Sequence, residues 1–290
     1  MTQIFEILLS GITQGAVYCL VAVGLSLVYG ASRILNFAHG SLYSLGGFLA
    51  WYLVAGGFDL PLWMAVLIIL PVLALTGIGI ERVIIRPLRG SDNWKINTIM
   101  VTLGLAFIIE NGLQLVFGPG TRTIAPFVEG TLELGGITLS WYKVWIFAIS
   151  LMLVGALEYF LGHTRYGQAV RAVSQDMQGA NQVGINVNQV FSFTFALSVV
   201  LTGIAGILLA PVFLVSPLGG WAPFLKAFVI VVLGGLGSTK GAFVAAFILA
   251  VLEAFVIFYI GPSWAMPAWL VMLIVVLMVR PKGLFGVWEN

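Results

Sequence analysis

Stretches of predominantly apolar residues, each near the roughly 20 residues that carry a helix across about 30 Å of hydrocarbon, follow one another along almost the whole chain. They occupy residues 8–29, 42–58, 61–85, 96–117, 141–161, 190–215, 221–236, 242–260 and 263–279. The second is short enough to be a broken or re-entrant helix, so the 290 residues hold eight or nine crossings. Only 8% of residues are charged and 60% are hydrophobic, where a soluble domain carries about 25% charged residues. No soluble fold hides that much apolar surface. The expected fold is all-α, a polytopic transmembrane helical bundle forming a single domain over residues 1–290, with broken helices inside it. Met1-Thr2-Gln3-Ile4-Phe5-Glu6 lacks the basic segment of a signal peptide, and the run behind it is long enough to span, so it reads as a retained first helix.

Lys and Arg stay on the cytoplasmic side of short loops. With residues 82–95 inside, strict alternation also puts Arg33, Arg165, Arg171, Lys240, Arg280 and Lys282 inside. Ten basic residues then lie inside and three, Arg122, Lys143 and Lys226, outside. The C-terminus is expected inside and the N-terminus outside. Residues 118–140, with Pro119, Pro126 and several glycines, read as an external loop or small lid. Residues 162–188 read as an internal helix: Thr164 is a candidate N-cap, no proline occurs from 165 to 183, and Gly184 can supply the left-handed residue that ends it. Ala172, Asp176, Gly179, Ala180 and Val183 recur at intervals of three or four, which gathers small residues on one face.

Motifs of soluble enzymes are absent. The run Gly234-Gly235-Leu236-Gly237-Ser238-Thr239-Lys240-Gly241 lacks the Gly-Lys-[Ser/Thr] order that aims a lysine and a hydroxyl at a nucleotide. His39 and His163 lie too far apart for a His-Glu-x-x-His site, and no Gly-x-Ser-x-Gly element occurs. Cys19 is the sole cysteine, which excludes an intrachain disulfide and a Cys-cluster metal site. No catalytic or metal-ligating residue is expected, and a net charge of +2 offers no argument for nucleic acid.

What remains are interruptions of the apolar spans. Gly40-Ser41, Gly46-Gly47 and Gly56-Gly57 fall in one half, and Gly219-Gly220, Gly234-Gly235 and Gly237 in the other. Such matching breaks point to a site made by broken helices, whose free N–H and C=O groups solvate a zwitterion. Close helix packing is the other reading, and Gly11-x-x-x-Gly15 and Gly237-x-x-x-Gly241 with Ala245 suit it. Ionisable groups within spans are candidates because burying charge in hydrocarbon is costly. Glu110 with Asn111 and Gln114 makes a polar patch in the fourth span, and Glu253 sits near the middle of the eighth. Each acid either lines a path or glues helices together, and isolated acids argue against a proton relay. Asn36 and His39 belong to a polar connector that either lines a path or forms an elbow. Candidate path residues are Asn36, Phe37, His39, Gly46, Glu110, Asn111, Gln114, Gly234, Gly235 and Glu253.

Gly24-Leu25-Ser26-Leu27-Val28-Tyr29-Gly30, then Arg33-Ile34-Leu35-Asn36-Phe37-Ala38-His39-Gly40, and a C-terminal Arg280-Pro281-x-Gly283-Leu284-Phe285-Gly286 resemble the LivH-type permease subunit of bacterial high-affinity branched-chain amino acid ABC importers. The likeness runs from the first span to the C-terminus, and Asn-Phe-Ala-His-Gly is specific to that group. It implies a non-enzymatic permease domain in the bacterial inner membrane that carries Leu, Ile and Val, with its N-terminus periplasmic. ABC permeases dock on their ATPases through a cytoplasmic coupling helix, often marked Glu-Ala-Ala-x-x-x-Gly. Gln178-Gly179-Ala180-x-x-x-Gly184 keeps that spacing, with Gln for Glu, Gly for the first Ala, and no Ile-x-Leu-Pro continuation. The candidate coupling residues are Arg171, Ala172, Gln175, Asp176, Gln178, Gly179, Ala180 and Gly184.

The resemblance also implies partners. Two cytoplasmic ATPase subunits would bind the ATP and Mg for which this chain has no motif, so no cofactor is expected here. A separate periplasmic amino-acid-binding protein would capture the ligand, because the outer loops are too small to do so. A homologous M-type permease subunit would complete a heterodimeric pore in the lipid bilayer. A related permease for urea or short-chain amides, and an ATP-independent secondary transporter, are the alternatives. A channel is disfavoured by the absence of a filter motif or a pore-lining charge series.

Overall fold

The computed structural model describes residues 2–134 and 137–285. Gly286 of the C-terminal motif, and Gly135 and Gly136 of the 118–140 loop, lie outside the described residues. The chain runs through α1 (Thr2–Ser32), α2 (His39–Val54), α3 (Leu62–Gly79), α4 (Arg86–Leu88) and α5 (Trp94–Phe117). A hairpin of β1 (Thr131–Leu134) and β2 (Ile137–Ser140) follows, then α6 (Trp141–His163), α7 (Arg165–Gln175), α8 (Met177–Gln182) and α9 (Val187–Leu209). The last elements are α10 (Trp221–Gly234), α11 (Thr239–Tyr259) and α12 (Ala265–Val279).

Among the described residues, seven helical runs are long and apolar enough to cross a membrane. The third of the nine apolar stretches spans without interruption because a π-turn, Ile80–Ile85, joins α3 to α4. The second and seventh differ from the rest. At 16 and 14 residues, α2 and α10 reach only about 24 and 21 Å at 1.5 Å per residue, less than the hydrocarbon thickness. Among the described residues the polytopic helical bundle thus combines helices long enough to span with the shorter α2 and α10.

Helices α1 and α9 run through the centre. α1 packs against α11, α9, α10 and α6, and α9 packs against α2 and α3. Lipid tails are as apolar as leucine, so helices associate in a bilayer through close van der Waals fit and interhelical hydrogen bonds, both of which favour small residues. α9 supplies them: Ser198, Thr202, Gly203, Ala205 and Gly206 are all buried. A Cβ added at Gly46 would stand 2.4 Å from the Gly203 carbonyl, and one at Gly206 2.1 Å from the Tyr43 carbonyl. Gly11 and Gly15 meet α11 at Val251 and Phe247, the close crossing that their spacing suggested. By contrast, α12 is almost wholly large aliphatic residues, and few of them are buried.

The two ends of the bundle are built differently. One holds the β1–β2 hairpin and a backbone bridge between Arg122 and Val215. The other holds α7, α8 and the C-terminal segment, whose Leu284 and Phe285 amides donate to the Leu233 and Gly234 carbonyls at 2.8 and 3.0 Å. The internal helix expected over 165–183 is two helices. Asp176 is extended (φ −146, ψ 106) and its carboxylate caps α8 by accepting from the Gln178 amide at 2.9 Å. An aspartate that bonds the backbone ahead of it competes with continuing the helix. Thr164 does cap α7, accepting from the Gly167 amide at 3.0 Å, and Gly184 takes a left-handed φ of 86°.

Candidate transport cavity and coupling surface

Between α1, α2, α9, α10 and α11, nearer the hairpin end, lies a cavity of about 350 Å³. Most of its wall is small or apolar. Its polar groups come from Ser10, Gln14 and Tyr18 of α1, Tyr43 and Ser44 of α2, Ser216 between α9 and α10, Lys226 of α10 and Glu253 of α11. α10 is held in place by Gly220 just before it, where an added Cβ would lie 1.8 Å from the Gly40 carbonyl. That contact sets Lys226 in the second turn of α10, inside the bundle.

Lys226 and Glu253 form an ion pair, with Nζ 2.6 Å from Oε1. The ammonium also donates to the Tyr18 hydroxyl, lies 4.3 Å from the centre of the Tyr18 ring and 5.4 Å from that of Trp269. Each charge is costly to bury alone, and mutual neutralisation with aromatic faces around the cation is what makes the pair tolerable. The neutralisation is incomplete in one respect: Oε2 of Glu253 and Oγ of Ser44, both on buried residues lining the cavity, have no hydrogen-bond partner. Buried polar atoms are rarely left unpaired, and both atoms are shut off from the cavity while the ion pair is closed.

Of the ten path residues named from the sequence, Glu253 alone lines this cavity. His39 is fully buried, with Nε2 3.0 Å from the Val21 carbonyl and 2.8 Å from the Thr202 hydroxyl. It ties α2 to α1 and α9. Asn36 forms the elbow before α2, its Oδ1 accepting from the Ala38 amide at 3.1 Å. Phe37 packs 5.4 Å from Phe224. Gly46 is at the α2–α9 crossing, beside Gly47, which does line the cavity. Gly234 and Gly235 meet the C-terminal segment, a Cβ at Gly283 falling 2.6 Å from the Gly235 amide. Glu110 is buried with the Trp221 side chain as hydrogen-bond partner. Asn111 is on the exposed side of α5 and donates to the Phe107 carbonyl at 2.7 Å, and Gln114 is half-buried a turn further on.

Sequence reasoning missed Lys226, Tyr18, Gln14 and Ser44. Lys226 was counted as an outer-loop cation, although it lies within the apolar stretch 221–236. The rule applied to Glu110 and Glu253, that an ionisable group inside a span is a candidate with a partner to be found, would have picked it out.

At the other end, the coupling candidates fall into two groups. Arg171 donates to the carbonyls of Leu161 and Gly162, clamping α7 onto the last turn of α6. Ala172 is half-buried and Ala180 buried, and both face the bundle. Gln175, Asp176 and Gln178 are exposed, Gly179 is half-buried and Gly184 exposed. With Met177 and Val183, 39% and 77% exposed, they form a surface with little charge. Arg33 at the end of α1 reaches the Ser174 carbonyl at 3.2 Å, so α7 is bonded to both α6 and α1. A third cluster stands nearby: Glu81 in the π-turn, fully buried, accepts from Arg86, Arg89 and Ser192. Burial lowers the Arg89 pKa from its ordinary value and the Glu81 charge opposes that. Among the described residues no group of three or more His, Cys, Asp or Glu is placed to hold a metal ion.

A bundle of long apolar helices enclosing a largely apolar cavity with a few polar groups, and a helical surface at one end, is the architecture of a multi-pass membrane permease. Comparison with known proteins makes the assignment specific. Residues 7–280 match the family described as branched-chain amino acid transport system / permease component, and the chain belongs to that family. It is 32% identical to the high-affinity branched-chain amino acid transport system permease protein BraD of Pseudomonas aeruginosa, over 96% of this chain and 94% of that one. It is 30% identical to the LivH permease protein of Escherichia coli K12 over the same shares. A probable LivH permease of Methanocaldococcus jannaschii is 27% identical over 93% of this chain and 89% of its own. Among solved structures, PsaBC from Streptococcus pneumoniae in complex with Fab covers 97% of this chain and 91% of its own at 16% identity, with a TM-score of 0.46.

Proposed function

We propose that this chain is the permease subunit of an ATP-driven importer that carries leucine, isoleucine and valine across the inner membrane. The observation that carries the reading is the end-to-end likeness to permeases named for high-affinity branched-chain amino acid transport, at about 30% identity over 96% of the chain. The excess of Lys and Arg at the α7–α8 end supports a cytoplasmic location for that end and a periplasmic one for the hairpin end. The cavity then lies nearer the side from which a periplasmic binding protein would deliver cargo.

Energy would enter at the opposite end. Two ATPase subunits, one docked against α7 and α8 through the surface of Gln175, Gln178 and Gly179, would move α7, and the bonds from Arg171 and Arg33 would pass that motion to α6 and α1. Since α1 also walls the cavity, a shift of α1 against α11 and α10 alternates its exposure between the two sides, as in other transporters whose elements rock around a fixed site. A homologous permease subunit supports the same scheme from the other half of the pore.

The test is reconstitution. Liposomes holding this chain with a sister permease and ATPase subunits of its own importer, supplied with the binding protein, should accumulate labelled leucine only when ATP is inside. Accumulation of urea instead of leucine would point to the amide-carrying relatives. Leucine uptake with the ATPases omitted would sink the ATP-driven reading.

A further inference from the structure

We propose that the cavity is a transit site for a zwitterionic apolar amino acid, in which the ligand's carboxylate replaces Glu253 on Lys226 and its ammonium replaces Lys226 on Glu253. This rests on the import reading above and assigns the side chains that hold the cargo, which the overall likeness to permeases does not.

Size is the first argument. A volume of about 350 Å³ lies at the low end of small-molecule pockets, which run from roughly 300 to 1,000 Å³. It suits a single amino acid and excludes anything much larger.

Charge is the second. Lys226 and Glu253 are the mirror of a zwitterion: one cation and one anion, from two different helices, on the wall of one cavity. Two further polar atoms on residues of that wall lack partners and are closed off until the pair opens. Glu253 Oε2 can accept from an ammonium and Ser44 Oγ can donate to a carboxylate. When the ligand enters, each fixed charge exchanges one opposite charge for another, so loading changes neither the net charge of the site nor the number of neutralised groups. When it leaves, Lys226 and Glu253 close on each other again, and Tyr18 remains bonded to the lysine. Binding that competes with this closure is weak by construction, as a site that must release its cargo requires.

The third argument concerns the rest of the wall. Leu209, Phe213, Val215, Ala222, Ala250 and Ile257 surround the pair, and an aliphatic side chain is what they can accommodate without stranding a polar group. A neutral amide or urea brings no charge to open the pair, so the same wall discriminates against the cargo of the related permeases.

The experiment uses the full chain in detergent and follows its thermal shift with L-leucine, with leucinamide, which lacks the carboxylate, and with 4-methylpentanoate, which lacks the ammonium. Leucine should stabilise the wild type and both analogues should fail at the same concentration, an arm that needs no variant to fold. Lys226→Gln should raise the half-saturating leucine concentration about tenfold, the loss of one charge-assisted hydrogen bond. Glu253→Gln should do the same while letting 4-methylpentanoate bind as well as leucine, a change of preference that a purely structural ion pair would not produce. An equal response to all three compounds, or leucine binding at wild-type strength in both variants, overturns the proposal. Wild-type uptake in liposomes is scored separately. ATP-driven leucine import by an assembly whose cavity ignores leucine removes this site and leaves the importer. A cavity that selects leucine in an assembly that imports none keeps the site and removes the importer.

Discussion

Two carboxylates are buried in the body of this chain beside cations, and they are treated in opposite ways. Glu81 is saturated: Oε1 accepts from Arg89 and from Arg86 at 3.3 Å, and Oε2 accepts from Ser192 and from Arg86 at 2.8 Å. Arg86 further reaches Ser192 at 2.9 Å, Arg89 reaches Asn188 at 2.8 Å, and the Arg89 guanidinium stacks 3.9 Å from the centre of Phe191. Glu253 has one cation and one unpaired oxygen, and its residue lines the cavity. Burial of charge is therefore not what distinguishes a functional acid in a membrane bundle. Saturation distinguishes them: a carboxylate with every lone pair used holds helices together, and one left partly unsatisfied beside a cavity is available to something that comes and goes.

The widest gap between the two is expected in stability. Glu81→Leu leaves two guanidiniums facing each other, one of them on a side chain only 13% exposed, and breaking a buried pair by removing one partner costs about 3–5 kcal/mol. The variant should lose most of its cooperative melting transition in detergent. Glu253→Gln should lose much less, because the glutamine oxygen still accepts from the Lys226 ammonium. If Glu253→Gln collapses as Glu81→Leu does, or Glu81→Leu melts like wild type, the distinction drawn between the two acids is wrong.

A smaller effect separates the glycines that make the cavity from those that merely sit in helices. Gly46 lets α2 lie against α9, and α2 carries Tyr43, Ser44 and Gly47 to the cavity wall. Gly46→Val should cost about 1–3 kcal/mol through overpacking and abolish leucine binding by displacing α2. Gly104 has nothing within 4 Å of an added Cβ, so Gly104→Ala should stabilise α5 by about 0.5–1 kcal/mol and leave binding alone. Melting temperature and half-saturating leucine concentration, measured together on both variants, check the pair. A tolerated Gly46→Val would show that the α2–α9 crossing does not shape the site.

The same contrast explains what could be read from the sequence. The place of the apolar stretches is legible because hydrocarbon thickness imposes one length rule on every segment, and 42–58 stands out as short; their number is less so, since the sequence allows eight or nine crossings and seven helical runs among the described residues are long enough to span. Gly11, Gly15 and Gly241 are legible as packing residues because close approach demands small side chains at helical spacing. Saturation is not legible. That Glu81 meets Ser192, or that Lys226 meets Glu253, depends on which helices lie side by side, and a string of apolar residues carries almost no information on that. His39 shows the ambiguity well, since the sequence allowed path or elbow equally and only its bonds to Val21 and Thr202 reveal a tie between helices. The break at Asp176 was hidden for a different reason: no proline or glycine signals it, and one side-chain bond to the Gln178 amide decides it.

A similarly small change in stability, and the sharpest test of the saturated end, comes from Gly179→Trp. Gly179 is half-buried at the exposed α7–α8 surface, and an added Cβ would fall 2.5 Å from the Asp176 carboxylate that caps α8. The carboxylate can swing away, at about the cost of a lost N-cap, on the order of 1 kcal/mol, while the bonds of Arg171 and Arg33 that fix α7 to α6 and α1 are untouched. The indole then stands where an ATPase would dock. If the saturated end works as a rigid lever, the assembled transporter carrying Gly179→Trp should insert in the membrane and bind leucine in the cavity as wild type does. ATP hydrolysis and leucine import, measured in the same liposomes, should no longer rise and fall together. Hydrolysis that drives import at the wild-type ratio would show that force does not enter through this surface, and the two ends of the bundle would then have to be compared on other grounds.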